Sequence, residues 1–280
     1  MRTPTWSAEI VRSDSVIESA SLPGVGVKLN KVRKVDDLVR VRNVIVSVAD
    51  KSNLELLVPG LLRLQPELRV YSTGGTFEAL STILSAPEYR GERLKSRLLS
   101  ISDYTGQPEM QGGLVKTLDY RIYLGLLSET YNPSHLSDLE RTASITFDLV
   151  VVNLYPFTRV IGTHGVTLED ARANIDIGGP AMLRAAAKNY LRVLSCCSPG
   201  DYRELLAELK KNDSCVSLRT RFTYAARTFQ HTAAYDRAIA DYLATTDPEK
   251  GAYQIADPSV ESATTSGQAD PRKPKKREGG

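Results

Sequence analysis

The stretch Phe147-Asp148-Leu149-Val150-Val151-Val152-Asn153-Leu154 is nearly continuous in valine and leucine. An apolar run of this length, without polar alternation, is typical of a parallel β-strand that is covered on both faces. It predicts a strand in the centre of a sheet. A second buried strand is predicted by Asn43-Val44-Ile45-Val46-Ser47-Val48.

Amphipathic stretches alternate with the short apolar runs along the chain. Leucines at helical spacing predict a helix over residues 53–64, although Pro59 and Gly60 can interrupt it. The same order recurs with a strand at 68–72 and a helix at 77–84. Later elements are predicted as helices at 167–174, 181–189, 201–210 and 219–243 and a strand at 191–195. This alternation predicts an α/β fold with a mainly parallel sheet flanked by helices.

Composition excludes several classes of protein. The 280 residues are 41% hydrophobic and 25% charged, as in soluble globular proteins. A net charge of +3 is too balanced to indicate a nucleic-acid surface. The cysteines and histidines lack metal-ligand spacing, and no apolar run reaches the roughly 18 residues of a membrane span. With no secretory signal at its start, the chain is expected to be a reduced, cytoplasmic, metal-free protein that binds neither membrane nor nucleic acid.

The predicted domain organisation has three parts. Residues 1–40 lack a sustained period and are predicted to be an N-terminal extension with at most a short docked element. Residues 41–245 form the folded domain. Residues 246–280 are polar, end in Arg272-Lys273-Pro274-Lys275-Lys276-Arg277, and are predicted to be a disordered tail. Its charge run is interpreted as solvating rather than as a nucleic-acid or import signal.

Three segments fall at the carboxyl edge of the predicted sheet, where ligands bind in folds of this class. They are residues 47–51, 73–76 and 153–157. In Thr73-Gly74-Gly75-Thr76, glycines, hydroxyls and helix N-terminal amides can cradle a phosphate. A lone Gly-Gly turn is weak evidence for a phosphate site, because glycine is common in tight turns of any kind. Its place beside Asp50-Lys51 favours an anion site.

A fourth segment, Asn174-Ile175-Asp176-Ile177-Gly178-Gly179-Pro180, is predicted to be a loop that enters a helix. Free backbone amides at such a helix start can hold an anion. Asp176 and Lys188 place a carboxylate and an ammonium close together in sequence. Any single lysine can instead be a surface residue that only keeps the protein in solution. Tyr155, at a strand end, can likewise be explained by aromatic packing.

Several blocks, taken together and in this order, resemble the inosine monophosphate cyclohydrolase domain of the bifunctional purine-biosynthesis enzyme. The blocks are residues 48–52, 72–76, 102–110, 115–118, 153–157, 175–179, 185–189 and 231–236. The resemblance spans roughly residues 41–243. It implies a methylglyoxal synthase-like α/β fold. It also implies closure of the six-membered purine ring of formylated aminoimidazole carboxamide ribonucleotide, with loss of water and without a cofactor.

The resemblance also implies roles for individual residues. Catalytic positions are implied for Lys116, Tyr155, Asp176 and Lys188. Contacts with the nucleotide are implied for Ser47, Lys51, Thr73, Gly74, Gly75, Thr76, Thr117, Asn153, Ile177 and Gly178. Asp176 is expected to accept the carboxamide proton, and Lys116 to stabilise the oxyanion with amides near Ile177 and Gly178. Tyr155 with Lys188 is expected to protonate the departing hydroxyl.

Departures from the family pattern keep alternatives open. Leu114 and Asp119 stand where the family has an arginine and a histidine, so a bidentate anion contact is lost. The substrate is then the purine intermediate or a related ribonucleotide, expected to come from another enzyme because no transformylase domain follows. A non-catalytic purine-nucleotide-binding regulatory module is the second hypothesis, favoured by the altered residues 114–123. Methylglyoxal synthase activity is a third, supported only by His164. The oligomeric state stays open, a homodimer included.

Overall fold

A computed structural model of the protein describes residues 31–107, 117–249 and Tyr253. The chain divides into two compact units, residues 1–33 and 34–280, and the elements below belong to the second. Leu114, Lys116 and the basic end of the predicted tail lie outside the described residues.

The described residues form seven strands and ten α-helices. The strands are β1 (Leu38–Arg40), β2 (Asn43–Val48), β3 (Arg69–Ser72), β4 (Leu98–Ser100), β5 (Leu149–Asn153), β6 (Leu194–Cys196) and β7 (Cys215–Ser217). The helices are α1 (Leu54–Leu64), α2 (Gly74–Ile83), α3 (Ile101–Thr105), α4 (Tyr120–Leu127), α5 (Pro133–Arg141), α6 (Phe157–Ile161), α7 (Leu168–Ala173), α8 (Gly178–Lys188), α9 (Tyr202–Lys211) and α10 (Leu218–Ala244). Short 3₁₀ segments lie at Pro87–Tyr89, Leu94–Arg97 and Pro199–Asp201. No helix within these described ranges is long and apolar enough to cross a membrane.

Five strands form one parallel sheet in the order β4-β3-β2-β5-β6. Every residue of β5 is buried, as its unbroken apolar run predicts. In register, Ile45 of β2 lies between Tyr71 of β3 and Val150 of β5. The predicted α/β fold with a parallel sheet is confirmed.

Helices cover both faces of the sheet and create two apolar cores. Val44 and Val46 face one core, which α1, α2 and α9 complete. Ile45, between them in sequence, faces the other core, with α4, α8 and α10. Successive side chains of a strand point to opposite faces, so one apolar strand supplies both cores. Each fully buried aliphatic side chain contributes about 1.5–3 kcal/mol.

Two helices begin earlier than the sequence predicts, and one is not interrupted. α2 starts at Gly74 rather than at residue 77, and α8 at Gly178 rather than at residue 181. Glycine is a poor helix former, so the sequence pattern predicts that these glycines lie in the loops before the helices. α1 continues through Pro59, which is buried, because tertiary packing outweighs the lost hydrogen bond.

A small antiparallel pair of β1 and β7 ties the start of the second unit to the domain. Arg221, whose side chain is buried, donates to the backbone carbonyls of Asp36 (2.6 Å) and Asp37 (3.0 Å). Residues 36–40, at the end of the predicted extension, therefore belong to the folded domain.

Candidate active site

A cleft of about 540 Å³ lies at the carboxyl ends of β2, β3 and β5. The strand order reverses between β2 and β5, since β3 and β4 lie on one side and β6 on the other. Ligands bind at such a topological switch point because the flanking loops diverge there. The cleft is lined by all ten of the predicted nucleotide-binding residues: Ser47, Lys51, Thr73, Gly74, Gly75, Thr76, Thr117, Asn153, Ile177 and Gly178.

The floor of the cleft is a set of hydroxyls between β2 and the start of α2. The oxygens of Ser47 Oγ and Thr73 Oγ1 are 3.0 Å apart. Thr76 is buried, and its hydroxyl accepts from the Val48 amide (3.1 Å) and donates to the Val48 carbonyl (3.0 Å). These bonds hold the first turn of α2 against the end of β2.

The first turn of α2 has the form of an anion cradle. Gly74 has φ +41°, in the left-handed region that favours glycine. The first amides of a helix have no acceptor within the helix. Gly74 and Gly75, which carry two of these amides in α2, line the cleft. Thr73 supplies no side-chain cap, since its hydroxyl is paired with Ser47.

Asn153 positions the loop after β2. Its buried side-chain oxygen accepts from the amides of Ala49 (2.7 Å) and Asp50 (2.8 Å), and its side-chain amide donates to the Asp50 carbonyl (2.9 Å). Both polar ends of the side chain are thus used within the protein. Asn153 lines the cleft as predicted, but these bonds give it a positioning role.

Lys51 extends from this loop along the wall of the cleft. Its Nζ donates to the Val48 carbonyl. Partial burial lowers the pKa of Lys51, and the nearby charge of Asp50 opposes that effect. The bond to Val48 leaves two of the three ammonium protons available to a ligand.

Asp176 faces the cleft from the loop before α8. Its Oδ1 accepts from the Gly179 amide (2.9 Å), and its own amide donates to the Tyr235 hydroxyl (2.8 Å). Burial raises the pKa of the Asp176 carboxyl, while bonds from the Gly179 and Gly178 amides act in the opposite direction. A fixed carboxylate with a raised pKa is suited to accept a proton near neutral pH.

The glycines after Asp176 permit close contacts. A Cβ on Gly179 would lie 2.4 Å from Asp176 Oδ2 and 2.8 Å from Leu154 Cδ2. A Cβ on Gly178 would lie 2.3 Å from Thr117 Oγ1. All three distances are shorter than a non-bonded contact of a Cβ allows, so a larger residue at either position would force one of these groups to move.

The four predicted catalytic residues are not all found in the cleft. Asp176 and Tyr155 line it, and the Tyr155 side chain is exposed at its rim. Lys116 lies outside the described residues, although its neighbour Thr117 lines the cleft. Lys188 is the exposed last residue of α8, whose first residue lines the cleft. With a rise of about 1.5 Å per residue, the helix carries Lys188 about 15 Å from Gly178. The structure does not bring it to Asp176.

Two other predicted features have a clear place in the structure. Asp119, which replaces the family histidine, is buried and caps α4 by accepting from the Arg121 amide at 2.8 Å. This departure therefore supports a helix start. His164 is exposed in the connection between α6 and α7 and does not line the cleft.

Tyr235 and Gly179 were missed as site residues by sequence reasoning. The Tyr235 hydroxyl accepts a hydrogen bond from the Asp176 amide, which lies 59 positions away in the sequence. Sequence neighbours carry no signal for such a contact. Gly179 lay in the motif of residues 174–180, but its contact with Asp176 depends on the earlier start of α8.

Comparison with known proteins identifies the family of the chain. The family model of the AICARFT/IMPCHase bienzyme matches residues 186–269. The crystal structure of ForH superposes with a TM-score of 0.62 and 31% sequence identity, covering 72% of this chain and 96% of ForH. The chain belongs to the AICARFT/IMPCHase family. The likeness also confirms the methylglyoxal synthase-like α/β fold.

Curated members of the AICARFT/IMPCHase family are longer than the matched region. The bifunctional purine biosynthesis protein PurH of Leptospira biflexa serovar Patoc is 40% identical over 206 residues, which are 74% of this chain and 38% of that protein. PurH of Trichormus variabilis is 44% identical over 205 residues, 73% of this chain and 38% of that protein. The chain thus spans about 38% of the length of these relatives.

Proposed function

We propose that the cleft is the active site of a cyclohydrolase that closes the pyrimidine ring of formylated aminoimidazole carboxamide ribonucleotide, or of a closely related nucleotide. The observation that carries the proposal is the pairing, in one cleft, of an anion cradle at the start of α2 with the fixed carboxylate of Asp176 at the start of α8. Membership of a family whose curated members are purine biosynthesis proteins supports it.

The cleft suits a mononucleotide in size and polarity. Its volume of about 540 Å³ lies within the range of small-molecule sites. The 5′-phosphate is held by the first amides of α2 and by the Lys51 ammonium, which place charge and hydrogen-bond donors at one end. The heterocycle then extends toward Asp176. Held in a folded-over conformer, the carboxamide and formyl groups react within one molecule, which lowers the entropic barrier.

The reaction begins with attack of the carboxamide nitrogen on the formyl carbon. A C–N bond forms, Asp176 accepts a proton from that nitrogen, and the formyl oxygen becomes an oxyanion. Amides at the start of α8 and the ammonium of Lys116 stabilise this charge, and preorganised donors of this kind contribute about 3 kcal/mol each. Asp176 gives this proton to the oxyanion, which becomes a hydroxyl, and the carboxylate is restored.

Loss of water completes the ring. The Tyr155 hydroxyl protonates the departing hydroxyl, which leaves as water. As the C=N bond forms, the former formamido nitrogen releases its hydrogen as a proton, which returns to the Tyr155 oxygen. Tyr155 lines the cleft from the end of β5, so its hydroxyl is the donor for this step. Lys188 takes no part in the proposal, because it lies at the opposite end of α8.

The direct test is incubation of the protein with the formylated ribonucleotide, with ring closure followed by ultraviolet absorbance. Turnover above the uncatalysed rate is the expected result. Calorimetry with inosine monophosphate provides the second measurement. No turnover together with tight binding of inosine monophosphate would reject the enzyme in favour of a nucleotide-binding module.

Gly179→Ala is expected to lower the rate of ring closure about tenfold or more and to lower the free energy of unfolding by about 1–3 kcal/mol. The new Cβ overlaps the Asp176 carboxylate and the buried Leu154 side chain, so both must shift. The carboxylate then leaves the position in which it accepts the carboxamide proton. Gly91→Ala is the control, since a Cβ there meets nothing within 4 Å and Gly91 lies away from the cleft. A rate equal to that of the control contradicts the role given to Gly179.

A further inference from the structure

A second hollow lies beside the cleft and has no role in the proposed ring closure. Its volume is about 570 Å³, and it shares Ala49, Lys51 and Tyr155 with the cleft. Those three residues form a common rim, so a molecule in the cleft and one in the hollow would be neighbours. The remaining wall comes from the loop after β2 and from α6 with the residues that follow it.

The charged groups of the hollow are Asp50, Lys51 and Arg159. Arg159 is exposed, and within the described part of the chain its guanidinium makes no hydrogen bond or ion pair. The Asp50 carboxylate is turned to its own loop and accepts from the Ser52 amide at 2.9 Å. Bonds from Ser52 lower the pKa of Asp50, and the positive charge of Arg159 acts in the same direction.

Lys51 faces both spaces. Partial burial disfavours its charged form, so a neighbouring anion would be stabilising. Arg159 adds a planar set of donors suited to two oxygens of one oxyanion. Among the described residues that line either the cleft or the hollow, Lys51 and Arg159 are the cationic ones. The hollow therefore adds a second cation, Arg159, to the one that it shares with the cleft.

We infer that the hollow is a second oxyanion-binding subsite, which takes a phosphate or carboxylate group between the Arg159 guanidinium and the Lys51 ammonium. Ser52 lines the same wall and bonds to Asp50, so that the Asp50 carboxylate is held by its own loop. The inference uses the proposed nucleotide site but not the ring closure itself. The oxyanion is either a second charged group of the ligand in the cleft or a separate ion bound beside it.

Binding of inorganic phosphate to protein saturated with inosine monophosphate tests the subsite, because the nucleotide occupies the cradle at α2. Phosphate is expected to bind, and its affinity to fall at least about fivefold in Arg159→Ala, with Arg159→Lys intermediate because an ammonium lacks the bidentate geometry. Arg203→Ala is the matched control, since Arg203 is exposed on α9 and lines neither space. Its phosphate affinity should stay within about twofold of wild type.

A parallel titration with inosine diphosphate distinguishes the two sources of the oxyanion. If Arg159→Ala weakens the diphosphate at least about fivefold and leaves the monophosphate unchanged, the hollow receives a group of the cleft ligand. If only the phosphate titration is affected, the hollow binds a separate ion. If Arg159→Ala and Arg203→Ala have the same affinities for phosphate and for inosine diphosphate, the subsite does not exist. Because every readout is binding, a protein without turnover can still pass or fail this test.

Discussion

Asp176→Asn is expected to reduce the rate of ring closure by about 10²-fold or more, without loss of thermal stability. Asparagine keeps an oxygen that can accept from the Gly179 amide, so the loop before α8 retains its hydrogen bond. It cannot accept the carboxamide proton. The substitution therefore removes the proton acceptor and keeps the hydrogen bond that holds the side chain in place.

The effect on stability follows from the direction of the pKa shift. Burial raises the pKa of Asp176 in the folded protein, so folding favours the protonated carboxyl. Its contribution to stability is present below the unfolded pKa and is lost as pH rises through the folded pKa. At neutral pH the native carboxylate thus opposes folding. The melting temperature of Asp176→Asn at pH 7 is expected to equal or exceed that of wild type.

The pH dependence of the rate provides an independent measurement. The wild-type rate should rise with pH across the raised pKa of Asp176, because only the carboxylate accepts a proton. That rise should be absent in the residual activity of Asp176→Asn. Asp236→Asn, at an exposed position on α10, is the control and should retain both rate and profile. An Asp176→Asn rate close to that of this control would remove Asp176 from the mechanism.

Asn153→Ala is expected to lower the free energy of unfolding by about 3 kcal/mol. The buried side chain satisfies the amides of Ala49 and Asp50 and the carbonyl of Asp50, and alanine leaves all three without that partner. Unpaired backbone groups at a partly buried site are costly because water replaces the lost bonds incompletely. Denaturant unfolding monitored by circular dichroism measures the change.

The same substitution should also weaken nucleotide binding. The loop that Asn153 holds carries Lys51, so its release moves an ammonium away from the proposed phosphate position. Asn212→Ala is the matched control, because the Asn212 side chain makes no hydrogen bond among the described residues. A loss of stability no greater than in the control would show that the loop keeps its shape without Asn153.

Much of the fold was predictable because the hydrophobic pattern is strong. The strand predicted at residues 43–48 coincides with β2, and the run at 147–154 contains all of β5. These strands lie inside a sheet that is covered on both faces, where an unbroken apolar run is required. The helix starts at Gly74 and Gly178 were less predictable, since local propensity disfavours glycine in a helix.

The candidate site was predictable in its residue types and less so in its contacts. Resemblance to the family supplied Asp176 and Lys51, which both line the cleft. It also supplied Lys188, which helix geometry carries away from Asp176. The bond from the Asp176 amide to Tyr235 joins residues on different elements, so no local pattern could reveal it.

The amino-acid sequence alone was sufficient for the parallel α/β sheet and for the segments that carry polar groups at its edge. Those features depend on periodicity and turn chemistry, which act over a few neighbouring residues. The meeting of Asp176, Gly179 and Tyr235, and the hollow between Lys51 and Arg159, were decided by the tertiary fold. Such contacts join segments far apart in the chain, and their distances follow from the packing of helices on the sheet.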